Sequence, residues 1–139
     1  MNELAFFEKY CSHFSNQDVK AIGDCFTGPV TFFLSDGDNY TFANREEMDS
    51  NTQKLLDIYT ELGFSKADFN LLAVIQLAKA QHLCQLKWTL LDKKSKPIVS
   101  FETAYLLSGE PETYSITAVY VNNEMEKLQM VRIGMTKKD

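Results

Sequence analysis

The spacing of the apolar residues differs between the two halves of this chain, and that difference limits the folds it can adopt. Up to about residue 62, apolar side chains recur every three or four residues, as they do on one face of a helix. From Ala67 to Tyr120 they alternate with polar side chains, which is the period of a strand. Helices followed by a run of strands predict an α+β domain with the helices packed on an antiparallel sheet.

The length and composition indicate one folded domain over residues 1–139. A chain of 139 residues has the usual size of a single domain. No linker, internal repeat or low-complexity stretch divides it. Its apolar fraction of 45% is ordinary for a folded protein, so we expect one hydrophobic core.

Charge, cysteine content and hydropathy argue against several kinds of partner. A net charge of -5 disfavours nucleic-acid binding, which needs clustered Lys and Arg. The three cysteines are widely spaced, and no His or carboxylate set has the spacing of metal ligands. The chain shows neither a secretory signal at its start nor a run of about 18 apolar residues that could span a membrane. We expect a cytoplasmic protein without a metal or other cofactor.

Two helices are predicted at the start of the chain. The first covers residues 3–15 and is capped by Asn2. The second covers about 17–26, with Ser15 or Asn16 as its N-cap. The connection between them is only a few polar residues long, so the two helices are expected to lie side by side.

A hairpin and a third helix follow. The β-branched and aromatic run 30–34, the turn sequence S-D-G-D-N and the short run 40–42 are typical of a hairpin. Asn44 and Glu47 then form a capping box that begins a helix, and Gly63 ends it. The predicted inner stripe of that helix is Met48, Thr52, Leu55, Tyr59 and Leu62.

The second half of the chain predicts an antiparallel meander, with turns at 92–97 and 108–112. Charged residues mark the outer face of two strands, Lys87 in one and Glu102 in the next, which assigns their neighbours to the core. Both faces of the last strand, 114–121, carry apolar side chains, so its inner face stays open. The side chains predicted for the core are Leu86, Trp88, Leu90, Phe101 and Ile116. A further edge strand is predicted at 130–133.

This order of elements resembles the nuclear transport factor 2-like superfamily over residues 3–122. The sequence Y-C-S-H-F-S-N-Q-D-V-K-A-I at 10–22 is similar to the first two helices of ketosteroid isomerases and SnoaL-like polyketide cyclases. F-A-N-R-E-E at 42–47 resembles the start of their third helix, and Y-S-I-T-A-V-Y at 114–120 resembles their closing strand. The resemblance implies a cone-shaped fold, in which a curved antiparallel sheet wraps around three helices and leaves a deep pocket at its wide end.

The resemblance also implies a homodimer formed through the outer face of the sheet. By strand alternation the apolar side chains expected on that face are Leu83, Thr89, Leu91, Val119 and Val121. Exposed apolar area with few charges beside it is typical of an interface. We therefore expect a second copy of the chain as a partner.

The ketosteroid isomerase members remove a proton beside a carbonyl with an aspartate, and a tyrosine and a protonated aspartic acid stabilise the oxyanion. Tyr10 occupies the position of that tyrosine, although it could equally be the amphipathic edge of its helix. The position of the base corresponds to Phe33 or Leu34, neither of which accepts a proton. The second acid corresponds to Thr103. Conventional isomerase chemistry is therefore not expected.

Other titratable residues offer a weaker acid–base site. Asp36 and Asp38 belong to the hairpin turn, where Asp is expected for backbone reasons. His82 is in phase with the inner face of its strand and titrates near neutral pH, but a lone histidine at a strand end could also face solvent. His13 lies one turn after Tyr10 and could be on either side of its helix.

Two hypotheses of function follow from these residues. The first is a pocket that binds a small apolar or aromatic molecule, lined by Tyr10, Trp88, Phe101, Thr103 and Tyr105. The second is a SnoaL-like isomerase, cyclase or dehydratase in which Tyr10 and His82 act on an enolisable substrate. A protein-interaction domain that uses the outer sheet face is a third possibility. Tyr10 and His82 would have to line one cavity for the second hypothesis to hold.

Overall fold

The computed structural model describes residues 2–124 and residue 127. The elements run in the order α1 (Glu3–Ser15), α2 (Val19–Gly23), β1 (Phe26–Leu34), β2 (Asn39–Phe42), α3 (Arg45–Glu61), β3 (Lys66–Ala78), β4 (Gln81–Leu91), β5 (Pro97–Ser108) and β6 (Ser115–Val121). A short 3-10 helix, Pro111–Thr113, joins β5 to β6. The strands form one curved sheet of six strands in the order β2-β1-β6-β5-β4-β3. The predicted α+β fold class is confirmed.

The sheet is antiparallel with one exception. β3, β4, β5 and β6 form the predicted meander, and β1 with β2 forms the predicted hairpin. β1 and β6 pair in parallel, which the sequence did not predict. A parallel pair needs a long crossover connection. Here α3 and the meander form that connection. The first strand of the hairpin, β1, therefore pairs with the last strand of the meander, β6.

The first helix is capped as predicted, whereas the second begins later than predicted. Asn2 accepts a hydrogen bond from the backbone N–H of Ala5 at 2.9 Å. α1 continues to Ser15, so neither Ser15 nor Asn16 is free to cap the next helix. Asp18 caps α2 by accepting from the N–H of Ala21 at 3.1 Å. The helix is short as a result, and β1 starts already at Phe26.

The predicted start and end of α3 are confirmed, but the capping box is only half formed, because the Glu47 carboxylate accepts from the N–H of Ala43 at 2.7 Å and not from that of Asn44. The side chain of Asn44 accepts from the N–H of Glu47 at 2.9 Å. Gly63 has a positive φ of 91°, the left-handed conformation that a C-terminal cap requires. In the predicted inner stripe Leu55 is only half-buried, and its neighbour Leu56 is 1% exposed. The other members of the stripe are buried: Met48, Thr52, Tyr59 and Leu62.

A bulge at Thr117 explains why both faces of β6 looked apolar. Ile116 pairs with Leu107, but the register shifts there, and Val119 pairs with Tyr105. The extra residue reverses which side of the strand faces the core. Ile116 and Val119 are therefore both buried, although their positions differ by an odd number.

The bulge also corrects the predicted dimer face. Val119 is 3% exposed and Val121 is half-buried on the inner side, so neither can contribute to the outer face. Leu83 remains on the outer side, where it lies opposite Ile75 of β3. Thr89 and Leu91 also keep their predicted side, opposite Asp68 and Lys66 of β3, and are half-buried.

The core lies between the helices and the concave face of the sheet. All five residues predicted for it are buried: Leu86, Trp88, Leu90, Phe101 and Ile116. The edge strand predicted at 130–133 lies outside the described residues. Within the described part of the chain, no helix has both the length and the apolar character needed to cross a membrane.

Candidate functional site

A small cavity lies inside the cone, between α1, α3 and the inner face of the sheet. It has a volume of about 50 Å³. All five residues predicted to line a pocket line it: Tyr10, Trp88, Phe101, Thr103 and Tyr105. Strand alternation brings the last four to the concave side of β4 and β5, and the apolar face of α1 carries Tyr10 to the same space. That a ligand occupies this space stays a prediction.

A second space, the groove, adjoins the cavity. It has a volume of about 210 Å³ and is bounded by β1, β2 and α3. Its wall is mainly apolar and includes Leu34, Phe42 and Ile58. The residues that line both spaces, which we call the constriction, are Phe32, Asn51, Leu55, Val121 and Glu124.

Tyrosine hydroxyls form the polar part of the cavity wall. The Tyr105 hydroxyl accepts a hydrogen bond from the indole N–H of Trp88 at 3.0 Å. The rings of Tyr10 and Tyr105 meet edge to face, with centroids 5.6 Å apart. The pKa of Tyr10 is raised well above its ordinary value, mainly by burial and secondly by the neighbouring Tyr105. Burial also raises the pKa of Tyr105. Both hydroxyls therefore stay neutral at physiological pH.

Glu124 is a buried carboxylate of the constriction that the sequence did not reveal. Its residue is 7% exposed, and its carboxylate accepts a hydrogen bond from the Tyr59 hydroxyl. Burial raises the pKa of Glu124 to about 7, against the lowering effect of that hydrogen bond. Among residues 2–124 and 127, no Lys, Arg or His nitrogen lies within 4.0 Å of it.

No sequence signal identified Glu124, because it follows the last strand in a polar segment where a carboxylate is expected to be solvated. A glutamate becomes buried there only because β6 ends at Val121 beside the open end of the cavity. Tyr59, its hydrogen-bond donor, was assigned correctly to the inner stripe of α3. The meeting of the two depends on contacts between residues 65 positions apart.

Thr103 contributes a further polar atom to the cavity. It is 3% exposed, and its Oγ1 has no hydrogen-bond partner within the described residues that meets distance and angle criteria. It nevertheless lies near enough to the Tyr105 hydroxyl to lower the pKa of that group. A buried hydroxyl without a well-formed hydrogen bond is unfavourable, so this atom has capacity to bind a ligand.

The structure does not bring Tyr10 and His82 together. His82 is absent from the cavity wall, and its Nε2 lies 4.0 Å from a carboxylate oxygen of Glu3. Its ring packs against Tyr114, with centroids 5.9 Å apart. His82 therefore belongs to a contact between α1 and the opposite end of β4. The paired role of Tyr10 and His82 on one substrate is not supported by this geometry.

The two positions that correspond to the isomerase base place no proton-accepting side chain in the cavity. Leu34 lines the groove, and Phe33 is 38% exposed and stacks on Tyr120 with centroids 5.0 Å apart. Asp36 and Asp38 are exposed in the hairpin turn, where Asp36 accepts from the N–H of Asp38 at 2.9 Å. The Asp36 carboxylate stabilises the turn, and neither carboxylate lines the cavity.

The remaining candidate groups give no metal site or activated thiol. Within the part of the chain that the structure describes, no three His, Cys, Asp or Glu side chains could hold a metal ion. Burial raises the pKa of Cys11 and Cys25 to about 11 and that of Cys84 to about 12. A thiol with such a pKa is a poor nucleophile.

Comparison with models of protein families shows to which family this chain belongs. Residues 4–124 match the family model described as NTF2-like protein (DUF6841). The chain belongs to this family. The resemblance to the nuclear transport factor 2-like superfamily is thereby confirmed. No significant match occurs among curated proteins.

Solved structures agree with the family on the fold. An NTF-2 like protein of unknown function from Shewanella oneidensis MR-1 is 13% identical, with a TM-score of 0.66 over 84% of this chain and 93% of the other. A ketosteroid isomerase-like protein from Erwinia carotovora atroseptica SCRI1043 is 12% identical, with a TM-score of 0.62 over 86% and 95%. Identities this low show the NTF2-like fold alone.

Proposed function

We propose that this NTF2-like protein binds a small molecule whose apolar or aromatic body lies in the groove and whose narrow polar end enters the cavity. The observation that carries this proposal is that the groove and the cavity adjoin at the constriction, where five side chains line both spaces. The cavity alone is too small for an aromatic ring, because a cavity that takes benzene has a volume of about 150 Å³. The groove is large enough for one.

The combined size and chemistry of the two spaces are those of a small-molecule site. Together their volumes approach the lower end of the range of about 300–1,000 Å³ that is typical of such sites. The walls are mainly aromatic and aliphatic, and their few polar groups include Glu124 at the constriction and Thr103 in the cavity. This arrangement supports binding of a molecule with a distinct polar end.

Binding can be measured through the fluorescence of Trp88, since it is the one tryptophan in the chain and lines the cavity. A panel of small apolar and aromatic compounds with one polar group should change that fluorescence and raise the melting temperature. Leu55→Trp should abolish both effects, because a larger side chain at the constriction closes the path into the cavity.

The matched control is Leu4→Trp, which adds the same ring at an exposed position of α1. Each added tryptophan is itself fluorescent, so the comparison of the two variants rests on the shift in melting temperature. Binding that survives in Leu55→Trp, or a panel without any binder, would refute this site.

A second candidate function is proton transfer next to a carbonyl. The observation that favours it is the presence of Glu124 in the same cavity as the Tyr10 hydroxyl. With a pKa of about 7, a carboxylate is suited to act as a general base near neutral pH. Glu124 would then take the part that His82, at the other end of β4, cannot take for a substrate in this cavity.

Deuterium exchange at the α-carbon of phenylacetone, followed by NMR in heavy water, tests this second candidate. Exchange faster than in buffer alone, and lost in Glu124→Gln, is the expected result. An exchange rate equal to that of the buffer would rule out this chemistry for the probe and leave binding as the function.

A further inference from the structure

We propose that the polar end of the ligand is an organic cation, a primary or methylated ammonium group that pairs with Glu124. This inference rests on the proposed binding function and names the class of ligand. The ligand would carry its apolar or aromatic body in the groove and its ammonium head in the cavity, beside Glu124 of the constriction.

The first argument is the carboxylate itself. Glu124 is 7% exposed and receives one hydrogen bond that the structure describes, from Tyr59. A buried carboxylate is costly unless an opposite charge and further donors satisfy it. Lys54 lines the groove, but no ion pair within 4.0 Å joins it to Glu124. A cationic ligand would supply the missing charge.

The second argument is the size of the cavity. Its volume of about 50 Å³ exceeds the roughly 10–15 Å³ that a cavity measured in this way needs to hold one water molecule. An ammonium group is of that order of size. An aromatic ring is too large for this volume. The head of the ligand therefore enters the cavity, and the ring stays in the groove.

The third argument is the set of acceptors and ring faces around that space. An ammonium group has only donors, and the cavity offers the Glu124 carboxylate together with the Oγ1 of Thr103, which makes no well-formed hydrogen bond to a described residue. Tyr10 and Trp88 pack against each other in the same wall, with centroids 6.0 Å apart. Aromatic rings attract cations through their faces and hold ammonium ligands in this way elsewhere.

Other head groups fit these observations less well. A carboxylate on the ligand would meet Glu124 with a like charge, which is unfavourable in a buried space. A neutral hydroxyl could occupy the same volume and bind Thr103, but it would leave the ionised form of Glu124 without an opposite charge. The charge of the head group therefore separates the alternatives.

Three probes with the same ring test the proposal on the complete chain: 2-phenylethylamine, 2-phenylethanol and phenylacetate. At about pH 8 an alkylamine is protonated, and Glu124 is mainly ionised. Titration followed by Trp88 fluorescence should give a dissociation constant for the amine about tenfold below that of the alcohol, the usual scale for one charge-assisted hydrogen bond. Phenylacetate should bind more weakly than the alcohol.

Glu124→Gln should remove the advantage of the amine while the alcohol still binds. The matched control, Glu8→Gln, removes the same charge from an exposed position of α1 and should leave the order of the probes unchanged. The order measured on the unaltered protein stands as a test even if Glu124→Gln does not fold.

The possible outcomes separate the two proposals. If the alcohol binds as tightly as the amine, or if the amine keeps its advantage in Glu124→Gln, the cation proposal is wrong and the binding function stands. If none of the three probes binds and the wider panel of compounds also fails, the binding function itself is overturned, and the cation proposal with it.

Discussion

Replacing Glu124 with Gln should change how the stability of the protein depends on pH. The carboxyl has an ordinary pKa of 4.5, and burial raises it to about 7 in the folded state. Between these values the folded protein holds a proton that the unfolded chain releases. The free energy of unfolding therefore falls as the pH rises through this interval, and the stability due to the protonated group is complete only below about pH 4.5.

The magnitude follows from the size of the shift. One pKa unit corresponds to about 1.4 kcal/mol, so the ionisation of Glu124 should cost about 3 kcal/mol of stability by pH 8 relative to pH 4. Gln does not titrate and can still accept the hydrogen bond from Tyr59. The variant should lack this loss and become the more stable protein at high pH.

The titratable groups that face Glu124 do not hide the effect. Tyr10, Tyr59 and Tyr105 have pKa values raised by burial and stay neutral over this range. Surface pairs such as Asp24 with Arg45 change stability in the opposite sense, because the hydrogen bond from Arg45 lowers the pKa of Asp24. They are the same in both proteins and cancel in the difference.

Urea denaturation of both proteins at several pH values between about 4 and 8 measures that difference. Glu8→Gln, whose carboxylate is exposed, is the control and should follow the original protein. Equal pH profiles for the original protein and Glu124→Gln would show that Glu124 is solvated in the folded state. Both roles proposed for it would then lose their basis.

Three further results are expected. Trp88→Ala should lower the free energy of unfolding by about 3–5 kcal/mol, because the ring is 4% exposed in the core; an unchanged denaturation midpoint would contradict the register of β4. Asn44→Ala should cost about 1 kcal/mol through loss of the α3 cap, whereas the same change at exposed Asn70 should cost little. Light scattering at micromolar concentration should give the mass of a dimer, and Ile75→Lys on the outer face should give a monomer; a monomeric original protein would refute the expected homodimer.

Local signals were sufficient to predict most of the elements. The cap of α3 at Asn44 and its end at Gly63 depend on the backbone needs of a few neighbouring residues, and both are present. Strand alternation assigned Trp88 and Phe101 to the inner face for the same reason, since successive side chains point to opposite sides. These predictions required no knowledge of distant contacts.

Alternation determines the face of a strand but not the distance along it. His82 was in phase with Trp88, yet the two lie six positions apart on the strand, which is roughly 20 Å at about 3.3 Å per residue. The histidine consequently lies beside Glu3 at one end of β4, while the cavity is at the other. The alternation cannot show where along the strand a side chain lies, because it repeats along the whole strand.

Local patterns in the sequence were sufficient to predict the fold class, the caps of α1 and α3 and the aromatic wall of the cavity, since each depends on period or on neighbouring residues. The tertiary structure decided the rest. The bulge at Thr117 turned Val119 inward, because pairing with β5 and not local preference sets the register of β6. The burial of Glu124 against Tyr59 is likewise a property of two segments distant in the chain, and it changed a solvated carboxylate into the chemical centre of the candidate site.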